Sequence, residues 1–88
     1  MRRNRNETEL IATVLICCEK PQRISAVIRE ANIPHSRLHP MMEHLVAQGL
    51  LSKEEHSEAV YSTTPEGRKF LSEYRRFQSL CDAYAIRP

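Results

Sequence analysis

The chain is short of the residues from which most catalytic and metal-binding sites are built. Only two of its 88 residues are glycine, Gly49 and Gly67, so no glycine-rich loop exists to wrap backbone amides round a phosphate. The three cysteines, Cys17, Cys18 and Cys81, include no C-x-x-C pair, which removes the usual framework of a structural zinc site. They read as small core hydrophobes in a reducing compartment, with a bridge between Cys81 and its copy across a dimer as the alternative. Neighbouring helical residues point about 100° apart, so at most one of Cys17 and Cys18 sits centrally in a core. No apolar run approaches the roughly 20 residues that span a bilayer, and the opening MRRNRNETEL lacks the apolar segment of a signal peptide; the expected location is the cytoplasm, with no membrane partner. No Ser–His–Asp spacing and no carboxylate pair in an apolar setting is present, so no catalytic residue, cofactor or small-molecule ligand is expected and the chain does not read as an enzyme.

Charge of one sign is also scarce. The net charge is +2 at pH 7, with seven Lys/Arg against five Asp/Glu in residues 1–49 and six against six in residues 50–88. The excess is Arg2, Arg3 and Arg5. Any nucleic-acid surface must therefore come from local placement of charge. Residues 1–6 read as a flexible basic arm able to follow a phosphate backbone or enter a minor groove.

What is present is periodicity. Asn6 or Thr8 can cap a first helix over about residues 7–19, with Glu7 and Glu9 in its positive first turn, Leu10, Ile11, Val14, Leu15 and Cys18 as its apolar stripe, and Pro21 beyond its end. A second, shorter helix is expected from Gln22, with Ile24, Val27, Ile28 and Ala31 inward, Arg23, Arg29 and Glu30 outward, and Asn32 as its stop. Residues 32–51, NIPHSRLHPMMEHLVAQGLL, organise the rest. Leu38, Met41, Met42 and Leu45 share one helical face, and Ser36, Arg37, His39, Glu43, His44 and Ala47 fall largely on the other. Gly49 ends the helix, free to take positive φ. Pro40 interrupts this third helix, so Ser36 is the favoured cap, or a tight first turn precedes the proline. A deeper start would cost up to about 3 kcal/mol. The two helices and their four-residue turn form a helix-turn-helix.

The period then changes. Residues 50–55 (LLSKEE) and 59–63 (AVYST) read as two strands joined by the polar tip His56–Ser57–Glu58, a hairpin the size of a wing. Thr64–Pro65–Glu66 starts a last helix with a cap, a proline at the first position and an acid in the first turn. That helix is expected to reach about Tyr84, near 30 Å at about 1.5 Å per residue. Phe70, Tyr74, Phe77, Cys81 and Tyr84 repeat at a 4-3-4-3 spacing, with Leu71 and Leu80 beside them, as in a heptad seam. The near end can pack on its own domain; the far end protrudes and needs a partner, most economically the same helix of a second copy.

The element order, the L-x4-EHLVAQGLL run with Leu38, Leu45, Gly49 and Leu50, and the YSTTPEGRKFLSEY block with Tyr61, Thr64, Gly67, Phe70 and Leu71 together resemble one family. It is that of the small archaeal winged helix-turn-helix DNA-binding proteins and transcription regulators, which dimerise through a long C-terminal helix and have counterparts in archaeal viruses. The resemblance spans about residues 7–80. It implies a mostly α fold with a two-stranded wing: a winged helix-turn-helix over residues 7–67 and, within the same domain, a dimerisation helix over 65–85 forming an antiparallel coiled-coil-like dimer. For a viral member the location would be the host cytoplasm. It also implies a homodimer on double-stranded DNA, with helix 3 in the major groove and the wing on backbone or minor groove.

Carried onto this chain, the readers are Ser36, Arg37 and His39, with Glu43 and His44 beside them and His35 near the helix N-terminus. Arg37 can pair with guanine O6 and N7, and Glu43 can accept from cytosine N4. Arg23 and Arg29, with Lys20, are phosphate candidates, as is Lys53; the wing also offers His56, and Arg2, Arg3 and Arg5 join them. Phe70, Tyr74, Phe77, Leu80, Cys81 and Tyr84 form the dimer seam. His35, His39 and His44 read as surface histidines, not as metal ligands. Two departures from the family pattern are Pro40 within helix 3 and the acidic wing tip, Glu54, Glu55 and Glu58. The near-neutral charge and the acidic wing keep a protein–protein interaction module open as the alternative, and sequence-independent architectural DNA binding is a close variant of the main reading.

Overall fold

The computed structural model describes residues 6–55 and 57–86. Helix α1 runs over Glu7–Cys17. Asn6 caps it reciprocally: its side chain accepts from the Glu9 amide at 2.8 Å, and its own amide donates to Glu9 Oε1 at 3.1 Å. The helix stops two residues short of the expected end. Its last carbonyls are taken up from outside, with the Thr63 amide donating to Cys18 O at 2.8 Å and Thr63 Oγ1 to Leu15 O at 2.6 Å.

The next segment corrects the sequence reading. Gln22–Arg23 does not begin a helix; it forms a short strand, β1. Helix α2 spans Ile24–Ala31, and Asn32 terminates it in the left-handed region at φ 58°. Pro21 keeps Lys20 out of helical backbone and feeds an extended chain, which finds an open edge: Gln22 pairs with Tyr61 and Arg23 with Val60. The hairpin strands β2 (Leu51–Glu55) and β3 (Ala59–Thr63) pair antiparallel, so the sheet has three strands in the order β1-β3-β2 rather than two. A strand of two residues between proline and a helix carries no periodicity; only the partner edge creates it.

Helix α3 spans His35–Ala47, with Pro34 at the cap position. This is earlier than the expected cap at Ser36, because Ile33 is buried and fixes where the chain enters. The Pro34 carbonyl accepts from the amides of both Arg37 and Leu38, at 3.0 and 2.9 Å, so the first turn is tight before Pro40. At the other end Gly49 adopts φ 82°. The Leu50 amide reaches Leu45 O at 2.9 Å and the Gly49 amide reaches Val46 O at 3.0 Å, a Schellman stop. Helix α4 runs Pro65–Ala83, capped by Thr64 Oγ1, which accepts from the Gly67 amide at 3.0 Å.

One core holds these elements. Val14, Leu15 and Cys18 of the α1 segment, Val27, Leu38, Met42, Leu45, Leu51, Tyr61 and Leu71 are all essentially sealed from solvent. Cys18 is the buried member of its pair and Cys17 is half-buried, as the angular separation requires. Gly67 is where α4 lies against the chain leaving α3. A Cβ there would fall within 2.6 Å of Thr63 Cγ2 and closer still to the Leu50 carbonyl oxygen.

Candidate nucleic-acid interface

The buried face of α3 is Leu38, Met41, Met42 and Leu45, which leaves a broad outward face. At about 100° per residue that face has a centre and two flanks. Ser36, Pro40 and Ala47 occupy the centre, all exposed. Arg37 and His44 lie on one flank, bordering a groove shared with Glu7 and Ile11 of α1. His39 and Glu43 lie on the other, toward β2 and β3. The sequence reading grouped Ser36, Arg37 and His39 as one reading set; the helix instead separates Arg37 from His39 by about 160°. Pro40, with its ring and without a donor, stands between them.

The wing-side flank is densely paired. Glu43 Oε2 accepts from Lys53 Nζ at 2.9 Å and from the Tyr61 hydroxyl at 2.8 Å, and His39 Nε2 lies 3.7 Å away. Lys53 also lies 3.4 Å from Glu55, and its ammonium stands 5.8 Å from the centre of the Tyr61 ring. The hairpin register puts Lys53 directly opposite Tyr61, so two neighbouring strands present both donors to one carboxylate. Their effects on ionisation follow. The Lys53 hydrogen bond, then that of Tyr61, holds the Glu43 carboxyl below the usual range, and Glu43 raises Lys53. Burial, with Glu43 second, pushes Tyr61 up to about 12.

Arg23 is likewise engaged, its Nε 2.9 Å from Glu58 at the wing tip. Two of the expected phosphate contacts are therefore neutralised within the protein. Arg37 makes no ion pair with any described residue and is the exposed cation of α3; Arg29 is exposed on α2. His35 and His39 stack face to face, 5.4 Å between ring centroids at 13°. Among the described residues no three His, Cys, Asp or Glu side chains converge as metal ligands. Arg2, Arg3, Arg5 and His56 lie outside the described residues.

Tyr61 is the site residue that sequence reasoning left in a structural role. The signal was available: a tip at residues 56–58 pairs 55 with 59, and therefore 53 with 61.

The expected dimer seam divides in two. Phe70 and Tyr74 pack half-buried against the protein's own core, and Cys81 is buried. Phe77, Leu80 and Tyr84 are 53%, 52% and 73% exposed, with Ile86 beside them in sequence.

Three helices, a three-stranded sheet ending in a hairpin, and a long final helix define a winged helix-turn-helix. The chain belongs to the winged helix-turn-helix family, whose model matches residues 3–82. No curated protein sequence matches it significantly. Among solved structures it is similar to Sso10a-2, a DNA-binding protein from Sulfolobus solfataricus, with 23% identity and a TM-score of 0.83 over 92% of this chain and 86% of that one. It is also similar to BpsR of Bordetella bronchiseptica, with 16% identity and a TM-score of 0.73 over 92% of this chain and 60% of that one. Diamide-treated YodB from B. subtilis aligns at 17% identity and a TM-score of 0.75, over 97% of this chain and 86% of that one. These identities establish a shared fold. Among the described residues no helix is long and apolar enough to cross a membrane.

Proposed function

We propose that the protein is a homodimeric double-stranded-DNA-binding transcription regulator that presents α3 to the major groove. The observation that carries this reading is the exposed face of α3, centred on Ser36 and Pro40 and flanked by Arg37, which makes no ion pair with any described residue, in a winged helix-turn-helix fold. Two similar structures are described in terms of DNA: Sso10a-2 as a DNA-binding protein, and BpsR as one whose DNA binding is regulated by 6-hydroxynicotinic acid. In this reading Arg37 reads a base and Ser36 contacts phosphate near the helix N-terminus, where the helix dipole favours anions. Two-fold symmetry gives an inverted-repeat site with half-site centres about 34 Å apart, or a multiple of that.

The test is fluorescence polarisation with labelled duplexes at low salt, after selection of bound sequences from a random pool. Binding is expected well below about 10⁻⁴ M, the weak end of non-specific affinity, and its absence there overturns the reading. Arg37→Ala should weaken binding to the selected site more than to random duplex, by about 1–3 kcal/mol; equal loss on both would make Arg37 a phosphate contact. A selection that returns no preference, with a steep salt slope, would favour architectural binding. The protein-interaction alternative is supported by the internal pairing of Lys53 and Arg23, and gains only if no duplex binds.

A further inference from the structure

Glu43 is the one carboxylate of α3, and the sequence alone makes it a candidate cytosine reader. Its geometry describes a different task. A carboxylate that reads a base is free to turn toward the groove. Oε2 of Glu43 instead carries two short hydrogen bonds, from Lys53 on β2 and Tyr61 on β3, with the His39 imidazole as a third neighbour. Both donors come from the sheet, and one is a phenol whose side chain is sealed in the core, at 2% exposure. The contact therefore joins the outward face of α3 to the middle of both hairpin strands, above the groove where Arg23, Ser25, His39 and Lys53 meet. Lys53 is only 24% exposed in its side chain and is drawn to Glu43 and Glu55 together. It is the only cation in the hairpin strands.

Resting on the DNA-binding reading above, we infer that Glu43 is a positioning residue that withholds Lys53 from the phosphate backbone and fixes the wing against the recognition helix. Tyr61 sets the carboxylate in place; the carboxylate sets Lys53. The duplex then meets the centre of α3 and its Arg37 flank, while the wing's cation stays internally neutralised. The cost to DNA binding is one phosphate contact. The gain is a fixed angle between wing and helix.

The experiment is a double-mutant cycle on the intact chain, read as affinity and as salt dependence on one selected duplex and one random duplex. Glu43→Gln keeps the shape and an amide oxygen for the Tyr61 hydroxyl but gives up the charge that holds Lys53. It is expected to tighten binding about three- to tenfold on both duplexes and to steepen the logarithmic salt slope by about one, as one further phosphate is neutralised. In a Lys53→Met background the same substitution should produce neither change. A gain that survives Lys53→Met would mean that Glu43 acts only by general repulsion, and a loss confined to the selected duplex would make it a base reader; either result overturns the inference while leaving DNA binding intact. Absence of duplex binding by the wild type and every variant would instead overturn the DNA-binding reading, and this inference with it. Folding of each variant is checked independently by its urea unfolding midpoint at neutral pH.

Discussion

Ionisable side chains of the wing-side cluster and of the core should shape the stability of the protein on the pH axis. Glu43 is held low by the Lys53 and Tyr61 hydrogen bonds, so its contribution is complete above the ordinary carboxylate value of about 4.3 and is lost as pH falls through its folded value. Tyr61 and, through burial, the Cys18 thiol are each pushed up to about 12, so their contributions are complete below the ordinary values of about 10 and about 8.5 and disappear as pH climbs toward 12. Urea midpoints are expected to be flat through neutrality and to fall on both sides, with Glu43→Gln flattening the acid side; an acid limb identical in the variant would contradict the assignment. Gly67 makes a second case at this scale. The sequence signature marks it without a reason, and the reason is steric: a methyl group would meet the Leu50 carbonyl and Thr63. Gly67→Ala is therefore expected to destabilise by about 1–3 kcal/mol despite the better helix propensity of alanine, measured by denaturant unfolding. No change, or a gain, would show that α4 can shift away.

At the scale of elements, the helix boundaries that rest on side-chain chemistry were legible, and those that rest on tertiary contact were not. Asn6, Asn32, Gly49 and Thr64 mark ends that the structure places where their chemistry suggests. The start of α3 and the existence of β1 depend on the burial of Ile33 and on the free edge of β3, which no local pattern encodes. The split of α3 into two flanks was present in the helical angles, whereas the pairing of Glu43 needed the hairpin register as well. Pro40 is the exposed sixth residue of α3. It cannot donate to the Ser36 carbonyl, one turn back, and Pro40→Ala should restore that donor and stabilise the protein by about 1–3 kcal/mol. A drop in the thermal midpoint of that variant would show that the proline's restriction of the unfolded chain outweighs the missing bond.

For the whole molecule, we propose that the two copies associate through the far end of α4. The near half of the expected seam is spent on the protein's own core, and Phe77, Leu80 and Tyr84 remain open. Wild-type protein is expected to sediment as a dimer, and Phe77→Glu as a folded monomer with weakened DNA binding. A dimer mass unchanged by the substitution would move the interface elsewhere. The heptad spacing was readable in the sequence; the division between intramolecular and free positions required knowing how far α1 extends along α4. Thr63 has a consequence at this same scale. It sits at the end of β3, binds Cys18 and Leu15 at the end of α1, and accepts from Arg68 of α4 at 3.3 Å. Segments distant along the chain thus share one point of attachment, and amide hydrogen exchange should report them as a single cooperative unit. The slowest amides of α1, β3 and the start of α4 are expected to exchange at one common rate, with the first turn of α3 opening sooner. Unrelated rates for α1 and β3 would mean that the attachment does not couple them.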